Sequence, residues 1–249
     1  MLLFALKYVL WVVHPCLQAL LAGLMVRRKL HREYPVFLAY TVSHVVRFVV
    51  LFCVYHLGTR EAYRDTFLSA EVLDAALEFG AIYELYQHVF DTYDGVQKLA
   101  GLVFRLAAVV LLAMAVLTTF TSPATDSSRV LAGVFTLGRS VNVVRGGLLL
   151  LLFLFSLYLG LRWRRFAFGI AAGFALDSSV ELATFALRVH WGLFGKPILS
   201  LISSAAYNCA VLIWVACLLA PEPAEPPAKL PARLELEGWN QALLELLHQ

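Results

Sequence analysis

The chain has 249 residues, of which 61% are hydrophobic and only 15% charged, with a mean hydropathy of +0.76 and a formal net charge of +3. Soluble domains carry about a quarter charged residues, and a single core of this size cannot hide so much apolar surface from water. The small positive balance is scattered, with no basic tract interleaved with aromatics, which argues against a nucleic-acid partner.

A bilayer supplies the missing burial, and a spanning helix needs about 20 largely apolar residues. Stretches that meet this run near 2–26, 35–57, 66–90, 99–120, 134–161, 166–189 and 197–219. They predict an all-α membrane protein, a seven-transmembrane-helix bundle over residues 1–220. The first stretch is read as a retained span and not a cleaved leader. Its apolar run continues well past Lys7 and meets RRKLHRE directly. The fifth reaches spanning length only by taking in Arg145 and Arg139, because GGLLLLLFLFSLYLGL is too short alone.

Short-loop Lys and Arg set the expected orientation. Arg27, Arg28, Lys29, Arg32, Lys98, Arg162, Arg164 and Arg165 fall on one side, against Arg60, Arg64, Arg188 and Lys196 on the other. The N-terminus is therefore expected outside and the C-terminus in the cytoplasm, in an inner or plasma membrane. Residues 221–231, PEPAEPPAKLP, form an extended linker by composition. Residues 232–249 read as a cytoplasmic amphipathic helix, with Leu236, Trp239, Leu243, Leu246 and Leu247 on one face. Glu235, Glu237 and Glu245 outnumber Arg233 there, so attraction to anionic lipid is poor. Docking on the basic cytoplasmic loops, or on a cytoplasmic or membrane protein partner, is the expected role. A loose tail at the interface is the alternative.

The predicted spans carry one-sided polar stripes. Span one has Lys7, Trp11, His14 and Gln18; span two has Tyr40, His44 and Arg47. Span three is the most acidic. Glu71, Asp74 and Glu78 share one helix face, and Glu84 and His88 make a second pair. Span five contributes Arg139, Asn142 and Arg145; span six contributes Asp177, Glu181 and Thr184; span seven contributes Ser200, Ser203, Ser204, Tyr207 and Asn208. Ionised groups in hydrocarbon are costly, so these stripes turn inward. Estimated depth puts His14, Arg47, Glu78, Asp177, Tyr207 and Asn208 near the midplane, with Arg145 close by. Glu71, Asp74, Arg139 and Glu181 fall nearer the outside, and His44, Glu84, His88 and Arg105 nearer the cytoplasm.

One reading makes this a satisfied network that fixes helix order. The other makes it the lining of a pocket or path, and six carboxylates on two spans are more than helix order requires. The candidate ligand-binding or ion-pair set is therefore His14, Arg47, Glu78, Arg145, Asp177, Tyr207, Asn208, Glu71, Asp74, Arg139 and Glu181. Arg47, Glu78, Arg145 and Asp177 are expected to form one coupled midplane group.

Catalytic signatures are missing: there is no GxSxG, no HExxH and no paired metal-ligand motif. His44, Glu84 and His88 are the weak candidates for a three-ligand metal site, and His14 with His44 for a haem. No cofactor is predicted. Retinal is disfavoured because span seven holds no interior lysine for a Schiff base. Cys16, Cys53, Cys209 and Cys217 lie in apolar segments without a CxxC pair and read as packing residues. The function expected is recognition of a small polar or anionic ligand in the bundle, a sensory module acting through a partner. A proton-coupled transporter or channel is the alternative, although no inverted repeat is detectable. A membrane-embedded enzyme is third.

Overall fold

A computed structural model describes residues 2–90, 141–154, 156–157, 163–191 and 196–220, with Leu102, Arg105, Leu106, Val109 and Val110. Arg139, Arg162, most of the fourth predicted span, the linker and the 232–249 segment lie outside the described residues, as do the side chains of Lys7, Arg188 and Lys196.

The described chain is helical, with no strand among the described residues. The helices are α1 (Leu2–Arg27), α2 (Pro35–Leu57), α3 (Arg60–Val89), α4 (Val141–Leu154), α5 (Arg165–Trp191) and α6 (Lys196–Leu219). Four of them, α1, α2, α5 and α6, are long and apolar enough to cross a membrane. Their outer faces expose Val9, Val12, Val46, Val49, Phe52, Phe168, Ile198 and Leu212, a surface suited to lipid and not to water.

α1 ends where Lys29 adopts a left-handed backbone (φ 60°), a position that usually belongs to glycine. Pro35 then opens α2 at its first turn, where the missing N–H costs nothing. α3 begins at Arg60, six residues before the start expected from hydropathy. Its first turn is too polar to register as a span. Thr59 caps it, accepting a hydrogen bond from the Ala62 N–H at 3.2 Å.

Helix packing closes a ring. α1 packs on α2, α2 on α3, α3 on α5, α5 on α6, and α6 back on α1. Two tight antiparallel hairpins dominate it. In α2–α3, the partners Arg47 and Glu71, Tyr40 and Glu78, and Val36 and Glu84 each lie about equally far from Gly58. In α5–α6 the same symmetry joins Thr184 to Ser203 and Ile170 to Trp214. α4 lies against α3 and α5, and runs parallel to α3. Arg145 meets Glu78, and one turn later the Tyr86 hydroxyl donates to the Leu148 carbonyl at 2.6 Å. The core is richest toward the ends where α1 and α6 finish, around Leu21, Met25, Phe37, Leu85, Phe174 and Trp214.

Candidate functional site

The polar stripes meet inside the ring. At its centre stands Arg145 of α4, 2% exposed. Its Nη1 donates to Glu78 Oε1 of α3 at 2.8 Å and its Nη2 to Asp177 Oδ2 of α5 at 2.9 Å. Its Nε donates to the Ser178 hydroxyl. One guanidinium thus ties three helices together, using the rigid fork that suits arginine to paired carboxylates. Glu78 also accepts from the Tyr40 hydroxyl at 3.4 Å. Tyr40 lies 2.9 Å from the Tyr207 hydroxyl, which accepts from Gln18 Nε2 at 2.6 Å. A continuous hydrogen-bonded chain therefore crosses the bundle from α1 through α6, α2, α3 and α4 to α5.

A second cluster sits closer to the α2–α3 turn. Arg47 pairs with Asp74 through Nη1 and with Glu71 through Nη2. Ser43 donates to the other Asp74 oxygen at 3.3 Å, and the Arg47 guanidinium lies 5.2 Å from the Phe67 ring centroid. Both clusters give each charge the opposite partner that burial demands.

His14, His44 and Tyr207 form an aromatic group beside this chain, with ring centroids 4.5 to 5.5 Å apart. Asn208 adjoins His14 and donates from Nδ2 to the Leu10 carbonyl at 3.4 Å. Three buried atoms in this region have no well-formed hydrogen bond: Gln18 Oε1, His44 Nε2 and Asn208 Oδ1.

On the side of α1's end, the polar interior stops at a layer of rings. Phe37, Phe174 and Trp214 are fully buried and meet at centroid separations of 5.1 to 6.0 Å. The Trp214 indole donates to the Ile170 carbonyl at 3.3 Å, which fixes its plane. On the other side exposure rises, and Glu71 is the most open member of the two arginine clusters at 38%.

Several expectations are corrected. Arg47 does not join Glu78, Arg145 and Asp177 in one group; its direct partners are Glu71 and Asp74. The reason is the early start of α3, which sets Glu71 and Asp74 more than a turn deeper than hydropathy implied. His44, Glu84 and His88 do not converge. The Glu84 carboxylate accepts the backbone N–H groups of Val36 and Phe37 at 3.0 and 2.9 Å, capping α2 from the neighbouring helix. His88 stacks on Tyr34 and its Nδ1 bonds the Glu84 carbonyl, whereas His44 belongs with His14. Among the described residues no group of three His, Cys, Asp or Glu side chains could hold a metal. The His14 and His44 rings, with centroids 5.5 Å apart, leave no room for a haem between them. Glu181 is half-buried and takes no part in the Arg145 ion pairs, and Arg105 is exposed.

Ser43 and Ser178, and the ring layer, carried no sequence signal strong enough to select them. Gln18 and Tyr40 lie on the polar stripes, the same signal that singles out Tyr207 and Asn208, but fall outside the candidate set. The chain matches no protein-family model, no curated protein and no solved structure.

Proposed function

We propose that the chain is an integral membrane protein of an inner or plasma membrane whose polar interior recognises a small ligand and signals that state through a partner protein. The observation that carries this reading is the asymmetry of the interior. Charged and hydroxyl groups run from Glu71 to the centre of the bundle, and a dry layer of Phe37, Phe174 and Trp214 ends them. A polar interior stopped on one side by rings suits binding, whereas transport needs access from both faces in turn. The parallel run of α3 and α4 is compatible with the seven-span topology. An outside N-terminus would put the more exposed side on the outer face.

The runner-up is proton-coupled transport. It is favoured by the unbroken hydrogen-bonded chain from Gln18 through Tyr207, Tyr40, Glu78 and Arg145 to Asp177. Side-specific labelling separates the two. The four native cysteines are replaced by alanine, and single cysteines are placed at Ser43, above the ring layer, and at Leu85, below it. A membrane-impermeant thiol reagent should label Ser43→Cys from one face only and leave Leu85→Cys unlabelled from both. Labelling of both positions, each from its own face, would favour a transport path and defeat the sensory reading.

A further inference from the structure

Among the described residues, each buried carboxylate of the two arginine clusters has a partner, but the partners are shared. Arg47 is shared by Glu71 and Asp74, and Arg145 by Glu78 and Asp177. Glu71 is open enough for water to screen it, but Asp74, Glu78 and Asp177 remain, three carboxylates facing two guanidinium groups. Among the described residues this cluster holds one carboxylate more than it has guanidinium groups, an excess that favours an added positive charge.

A separate observation points the same way. Gln18 is fully buried, gives its Nε2 to Tyr207, and leaves Oε1 without a donor. Asn208, 5% exposed, leaves Oδ1 without a well-formed bond, and His44 Nε2 is likewise unpartnered. Asn208 has His14 beside it, but Gln18 Oε1 and an unprotonated His44 Nε2 accept only, so they call for a donor or a cation. Gln18 reaches the carboxylate cluster in three hydrogen bonds, through Tyr207 and Tyr40 to Glu78. An anionic ligand would worsen both imbalances.

Resting on the reading of the interior as a ligand site, we infer that it takes a small monovalent cation of the alkali-metal or ammonium class, between the Gln18 amide oxygen and the Glu78 carboxylate. The oxygens of Gln18, Asn208, Tyr207, Tyr40 and Glu78 are the hard, neutral-to-anionic ligands such ions prefer. Both arginines are already held by carboxylates on the far side of Tyr40, so they do not occupy this position.

The test is thermal unfolding of the purified full-length protein in detergent, at constant ionic strength, with sodium, potassium or ammonium chloride replacing N-methylglucamine chloride. The expected result is a saturable rise in Tm with at least one small cation. Its apparent affinity should fall at least tenfold in Gln18→Leu. Asn208→Ala serves as the second variant if Gln18→Leu does not fold. Equal Tm in all four salts overturns the inference, and so does a cation response that survives unchanged in the variant that folds. Proton uptake by a carboxylate in place of an ion would give that flat salt response. Failure here leaves the ligand-site reading of the interior standing if Ser43→Cys is still labelled from one face, whereas failure of that labelling removes both readings.

Discussion

Glu84 sits at the end of a charged stripe, yet its carboxylate is spent on the backbone of another helix. It receives the N–H groups of Val36 and Phe37, two of the donors that the first turn of α2 cannot satisfy internally. Glu84→Ala should cost about 1–2 kcal/mol, the usual worth of a lost cap, and Glu84→Gln less, because the amide oxygen still accepts. Chemical or thermal unfolding in detergent checks the order. Glycines give a sharper contrast. A Cβ at Gly173 would run into the Trp214 indole, while one at Gly147 meets nothing within 4 Å. Gly173→Ala should therefore destabilise by about 1–3 kcal/mol. Gly147→Ala should be neutral or stabilise by up to about 1 kcal/mol through helix propensity. A Tm loss at Gly173→Ala no larger than at Gly147→Ala would show that the α5–α6 seam at Trp214 is looser than this contact implies.

At the scale of helices, the two hairpins decide which side chains meet. Because α3 starts directly after the Gly58–Thr59 turn, the facing sides of α2 and α3 pair residues about equally far from that turn. Hydropathy located the apolar helices well, since α1, α2, α5 and α6 are apolar over most of their length. It misjudged α3 because α3 is the polar member of the ring and its first two turns carry Arg60, Glu61, Arg64 and Asp65. That one error displaced Glu71 and Asp74 in depth and led to the wrong partner for Arg47. The inward turn of the stripes was legible, since cost in lipid alone dictates it. The capping role of Glu84 and the split into two arginine clusters were not, because they depend on helix stagger. The ring layer is the second product of the hairpins. Trp214→Ala should cost about 3–5 kcal/mol as a core truncation. In the cysteine-labelling assay it should also let reagent reach Leu85→Cys from the Ser43 face. Loss of stability without that leak would mean the rings pack the bundle but do not seal it.

For the whole molecule, Arg145 is the point on which three helices converge. Removing it leaves Glu78 and Asp177 buried without a counter-ion, a change expected to cost about 3–5 kcal/mol. Replacing the acids as well removes the unpaired charge, so stability should recover in part. This sets the account apart from one in which the charges are incidental to packing by apolar faces, where each substitution would act alone. The same interior charge pairing underlies the proposed ligand site and its proposed cation, because both need the carboxylates of α3 and α5 to face inward together. The most direct measurement is a double-mutant cycle on Arg145→Met and Glu78→Gln, read as unfolding free energy in detergent or nanodiscs. The account predicts that the double variant is more stable than the sum of the single losses allows, by about 1–3 kcal/mol. Strictly additive losses would contradict it.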